Sequence, residues 1–272
     1  MKSALICFTL LLYGASIGSA TERELHIGKF SGGDLTGWKE QTIWNAKKTG
    51  YSFVPKNGKK ALMAKSVNSA SGLINRTEID PKTHPLIAWS WKIDHTVKKG
   101  DERIKNGHDF AARLYVVFPR GFFGRTRAIE YVWGNVMHKG EILRSPYSGN
   151  VVMIAVDAGE ELAGQWTSHI RNYADDYRAA FGEEAPKVGA IAIMTDSDNT
   201  HESAVGYYGD ISLLTAYKEN DSKFKDPKNN GAVPKEQPRK DQQPKDAAPK
   251  EPTNGSHLPV TPPPTPPAEV KP

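Results

Sequence analysis

Six side chains in the middle of this sequence are of the types that act on polysaccharides: Asp109, Arg113, Tyr115, Glu130, His169 and Arg171. Carboxylates can move protons or stabilise an oxocarbenium ion, a histidine or tyrosine can serve as base, and arginine can steady negative charge. Asp109, Arg113 and Tyr115 alternate with Phe110, Ala112, Leu114, Val116 and Phe118, so an extended chain would turn the charged set to one side and the apolar set to the other. Glu130 stands opposite Ile129, Tyr131 and Trp133 in the same way. These residues form one site only if their strands are neighbours.

A second group lies in Thr195-Asp196-Ser197-Asp198-Asn199-Thr200. Asp196, Asp198, Asn199 and, on the following strand, Asp210 offer the oxygen-rich donors that suit calcium, a hard cation with six to eight oxygen ligands. The loop is not an EF-hand, because the sixth position is His201 and the twelfth is Tyr207. Asp and Asn also cap turns by accepting from nearby backbone amides, so turn chemistry is the competing reading, and no other cofactor is expected.

Several reaction classes are excluded by missing motifs. There is no Gly-x-Ser-x-Gly elbow, no phosphate-binding glycine loop ending in Lys-Ser/Thr and no dinucleotide fingerprint. His201-Glu202 begins like a zinc protease helix, but Val205 stands where the second histidine belongs. The one cysteine, Cys7, falls in a leader-like segment, which leaves no thiol for catalysis or zinc. The net charge of +5 comes from lysines and arginines interleaved with acids, so no nucleic-acid partner is expected.

The elements that must position these residues read as strands. Short apolar runs at 25–30, 38–44, 51–54, 61–67 and 73–79 are separated by turn residues such as Gly32-Gly33 and Lys56-Asn57-Gly58. Ile87, Trp89, Trp91 and Ile93 share one face of the next strand, a large surface to bury between two sheets or, alternatively, a sugar-stacking platform. Runs at 110–118, 128–133, 150–156 and 166–171 follow, and Phe122-Phe123 lie in an exposed loop between the first two. Asn172 reads as the N-cap of one short helix, with Tyr173, Tyr177 and Phe181 on one face and Gly182 ending it. Pro186 to Leu214 reads as a hairpin with the acidic segment at its tip. The fold expected is all-β, a jelly-roll-like sandwich of the galactose-binding or concanavalin type, with that one helix.

The chain starts with Met1-Lys2-Ser3, an apolar run from Ala4 to Tyr13 and small residues at Gly18-Ser19-Ala20, the pattern of a secretory signal peptide over 1–20. The run is too short to span a bilayer, and no later stretch qualifies. Periplasmic or secreted location is therefore expected. The folded domain covers 21–217. From 218 to 272 proline mixes with Lys, Asp, Glu and Gln, the composition of a disordered tail.

Motifs spread through the domain, among them Leu35-Thr36-Gly37-Trp38, Trp89-Ser90-Trp91-Lys92, Ala112 to Phe118, Tyr131-Val132-Trp133, Phe181-Gly182 and Thr195 to Thr200, resemble the bacterial domain-of-unknown-function family DUF3047. The resemblance implies an exported, sandwich-like domain and carries over no activity. The family pattern has two acids before Ala111, where this chain has His108-Asp109. An exported, thiol-free sandwich rich in tryptophan and tyrosine is built like a non-catalytic binding domain for a carbohydrate or cell-envelope polysaccharide. A polysaccharide lyase or glycosidase is the alternative, and a structural envelope protein a third reading.

Overall fold

The computed structural model describes residues 23–120 and 124–217. The segments expected to be a leader and a disordered tail, and Phe122-Phe123, lie outside them. The strands are β1 (Glu24–Gly28), β2 (Trp38–Thr42), β3 (Gly50–Lys56), β4 (Lys59–Val67), β5 (Ala70–Ile79), β6 (Leu86–Ile93), β7 (Arg113–Arg120), β8 (Gly124–Gly134), β9 (Ile142–Ser145), β10 (Ser148–Ala158), β11 (Thr167–Asn172), β12 (Val188–Asp196) and β13 (Ser203–Leu214), and α1 (Tyr173–Phe181) falls between β11 and β12.

Two sheets face each other. One has six strands in the order β11-β6-β13-β4-β3, with β1 also on β13; the other has seven in the order β2-β5-β12-β7-β8-β10-β9. Among the described residues every strand pairing is antiparallel except β10 with β8. The all-β sandwich expected from the sequence is the fold observed. Trp89, Trp91, Tyr131, Trp133, Ile191 and Leu213 belong to the core between the sheets, so the two tryptophans of β6 are core residues and not a platform. The β3–β4 turn shows why its sequence is Asn-Gly: Asn57 and Gly58 both have positive φ, 45° and 74°, as the tight hairpin turn requires. The helix is capped as the sequence indicates, with Asp175 N–H donating to Asn172 Oδ1 at 3.1 Å and Gly182 left-handed at φ 72°.

Two expectations need correction. β12 and β13 are consecutive but do not pair; they lie in different sheets, and 197–202 carries the chain from one to the other. Ser197 explains why: it is fully buried, its N–H bonds Ser69 O at 3.0 Å and its hydroxyl meets Ser66 Oγ at 2.6 Å. A serine whose N–H and hydroxyl are both satisfied in the interior belongs to a crossing, not to an exposed tip. The strand expected from Phe110 begins instead at Arg113. Ahead of it the Ala111 carbonyl lies against Gly206 on β13, where any Cβ would collide with it, so the segment leans across to the other sheet.

Candidate functional site

Alternation along the seven-stranded sheet sends Leu114, Val116, Ile129, Tyr131 and Ile193 into the core, and their neighbours to the outer face. The register stacks the outer residues in rows. Gly72, Met194 and Arg113 form one row, Ile74, Ala192, Tyr115 and Glu130 the next, and Arg76, Ala190, Val117 and Ala128 the third. A groove of about 480 Å³ runs over these rows, walled on one side by Gln41 and Ile43 and on the other by Tyr147, Ser148 and Asn150. Its floor is apolar at Tyr115, Ala128, Met194 and Ala192. One end is acidic, where Asp196 and Asp198 arrive from the crossing segment, and the third row carries the exposed Arg76.

At the acidic end a single guanidinium binds two buried carboxylates. Arg113 Nη1 donates to Glu130 Oε1 at 3.2 Å and Nη2 to Asp196 Oδ2, with all three side chains at most 3% exposed. The Tyr115 hydroxyl hydrogen-bonds Glu130 from the groove floor. Burial opposes the charge on Arg113, but Asp196, Tyr115 and Glu130 around it raise its pKa, so it stays ionised. Burial likewise raises both carboxyls, against the pull of Arg113, because one cation is shared between them. Burial, with the Arg113 charge nearby, pushes His108 down to about 3, so its imidazole is neutral.

Asp109 is fully buried and organises the crossing. Its Oδ1 accepts from Asn199 N–H at 3.2 Å and Nδ2 at 2.9 Å, and its Oδ2 from Thr200 N–H at 2.6 Å. Asp196 Oδ1 accepts from Phe110 N–H at 2.9 Å. Asp109, Asp196 and Asp198 each offer an oxygen within 4.8 Å of the others. Asn199 Oδ1 is taken by the Tyr147 hydroxyl at 2.7 Å. Asp210 is not part of this group: it is bound to Ser31 N–H at 2.7 Å and Ser31 Oγ at 2.6 Å. The four-residue calcium set of the sequence is thus replaced by three aspartates, two of which already accept from N–H donors on both oxygens.

Asp198 is half-buried, and its pKa is raised by burial and then by Asp109, with which it shares a hydrogen bond. A carboxyl whose folded pKa is raised contributes stability that is fully present below its unfolded pKa of about 3.9 and is lost as pH rises through the folded value. Asp198→Asn should therefore raise the melting temperature at pH 7 and leave it unchanged near pH 3. Melting curves across that range check the sign, and a lower midpoint at pH 7 would contradict the assignment.

The structure brings Asp109, Arg113, Tyr115 and Glu130 together and separates Arg171 from them. Arg171 belongs to β11 of the other sheet, where it holds Asp176 through Nε at 3.1 Å and Nη2 at 2.6 Å, and Asp176 accepts the Tyr131 hydroxyl at 2.6 Å. His169 is also elsewhere, with Nε2 2.7 Å from Asp157 Oδ2. Burying a polar set between sheets requires each charge to be paired, and these two pairs do that. Sequence reasoning missed Tyr147 and the wall residues Gln41 and Ile43, which carry no motif, and met His108 only as a departure from the family pattern; the packing of the seven-stranded sheet brings all four to the groove.

The fold is similar to that of several solved structures at low identity. The Family 11 carbohydrate-binding module of the cellulosomal cellulase Lic26A-Cel5E of Clostridium thermocellum is 9% identical with a TM-score of 0.41, covering 72% of this chain and 96% of that one. The cellulose-induced protein Cip1 is 9% identical at 0.35, covering 70% and 97%. The glycoside hydrolase domain of Endo-D from Streptococcus pneumoniae R6 is 10% identical at 0.33, covering 67% of this chain and 22% of that one. Likeness at this level carries no argument about ligand or activity. No curated protein matches the sequence. Residues 36–212 match the family described as protein of unknown function (DUF3047), and the chain belongs to that family.

Proposed function

We propose that this protein is an exported, non-catalytic domain that binds a carbohydrate or cell-envelope polysaccharide in the outer groove of the seven-stranded sheet. The observation that carries the proposal is the groove itself: an elongated apolar floor with polar groups converging at one end is the chemistry of a sugar site, which needs a face to stack and donors and acceptors to orient it. Trp44, next in the chain to the wall residue Ile43, is 88% exposed, a ring free to stack on a sugar. Binding without turnover is favoured because glycosidic cleavage needs two carboxyl groups flanking the scissile bond, and of the carboxylates lining the groove only Asp198 is more than marginally exposed.

Affinity electrophoresis of the full chain against a panel of neutral, acidic and amino polysaccharides tests the reading. At least one should retard it. Ala192→Arg, which fills the floor, should weaken that binding by about tenfold or more. A second variant, Trp44→Ala, should lower affinity with no change in melting temperature, since an exposed ring contributes within about 0.5 kcal/mol to stability. No retardation by any glycan, or retardation indifferent to Ala192→Arg, would remove the proposal. Export is tested by the mass of the mature protein, expected to begin at Thr21; an intact Met1 terminus on protein recovered outside the cytoplasm would contradict it.

A further inference from the structure

We infer that the acidic end of the groove is an anchoring subsite for a sugar bearing a free primary amine, so that the glycan bound is an amino, not an acidic, polysaccharide. This rests on the glycan-groove reading and specifies its ligand. Charge complementarity is the first support. Four carboxyl groups, Asp109, Asp196, Asp198 and Glu130, gather round one cation, Arg113, and the neighbouring His108 is neutral. The end is therefore short of positive charge, and a uronate or sulfate would meet repulsion there.

The second support is independent of the acids. Arg113 Nε and His108 Nε2 have no hydrogen-bond partner, although Arg113 is 3% and His108 5% exposed and both line the groove. Buried polar atoms without partners are rare and costly, and here both belong to residues that line the groove. Arg113 Nε can donate only, whereas a neutral imidazole can accept at Nε2. Hydroxyls flanking an amine on a pyranose would satisfy both.

Asp198 is the group that meets the amine. Asp109 and Asp196 are saturated by N–H donors, whereas Asp198 is half-buried and, besides its own backbone amide, has another acid, Asp109, as its hydrogen-bond partner. An incoming ammonium would give Asp198 a charge-assisted partner and offset the like charge of the neighbouring acids.

The test is calorimetric titration of the full chain with four hexamers: β-1,4-linked glucosamine, its N-acetylated counterpart, the neutral β-1,4-glucan and oligogalacturonate. The glucosamine hexamer should bind about tenfold more tightly than the N-acetylated one, and oligogalacturonate most weakly. Asp198→Asn, checked for an intact melting transition, should bring the glucosamine hexamer down to the affinity of its acetylated form. The remote Glu184→Gln should leave the preference as it is. Equal affinity for the first three hexamers, tightest binding of oligogalacturonate, or a preference untouched by Asp198→Asn overturns the inference while the glycan reading stands. Binding of none of the four, together with no retention on the wider polysaccharide panel, overturns both. Calcium that raises the melting temperature and abolishes glucosamine binding would overturn it in favour of a metal site.

Discussion

Replacing Arg113 by methionine should cost the domain about 3–5 kcal/mol, because it strands two buried carboxyls, Glu130 and Asp196, that share this one cation. For a domain of this size the melting temperature should fall by roughly 6–20 °C. The deficit should shrink in acid. Both carboxyls have raised folded pKa values, so without the arginine they become protonated, and a neutral acid is far less costly to bury than an unpaired charge. Arg113→Lys should rescue little, since a single ammonium lacks the planar fork that reaches both partners. Combining Arg113→Met with Glu130→Gln and Asp196→Asn should recover part of the loss. Denaturant titrations at pH 4.5 and pH 8 measure all of this. A change below about 1 kcal/mol at pH 8 would mean that the ionic cluster does not hold this end of the groove.

Removing the carboxylate of Asp157 should produce the second large loss, about 3 kcal/mol for Asp157→Ala. Asp157 is 1% exposed and its Oδ2 accepts from Trp91 Nε1 at 2.8 Å and Thr167 Oγ1 at 2.7 Å and meets His169 Nε2 at 2.7 Å. Burial pushes its pKa up, but the bonds from His169, Trp91 and Thr167 outweigh burial and hold it below the ordinary carboxylate value. A depressed folded pKa contributes stability that is present above the unfolded pKa of about 3.9 and is lost as pH falls through the folded value. The gap between wild type and Asp157→Ala should therefore be full at pH 7 and narrow below pH 4. Glycan affinity of the folded variant should be unchanged, because the His169–Asp157 pair packs against Trp89 and Trp91 in the core and lies away from the groove. Intact stability with lost binding would return His169 to the functional site.

The period-two alternation of Ile87 to Ile93 and of Leu114 to Phe118 determined by itself which faces enter the core between the sheets, since a strand places successive side chains on opposite sides whatever it pairs with. The helix was equally legible: Asn172, the aromatic spacing and Gly182 act over a single turn, and local chemistry needs no partner. The partnership of Arg113 with Asp196 was not, because 83 residues separate them and pairing depends on β12 lying between β5 and β7. The same arrangement decided that Asp109, not Asp210, joins Asp196 and Asp198. Local pattern could place β12 and β13 in sequence and could not say that they enter different sheets; only the satisfied, buried Ser197 between them reveals the crossing. The sequence carried the faces of the strands, and the tertiary structure decided which faces meet, since strand pairing is a long-range choice made by the summed burial of both sheets.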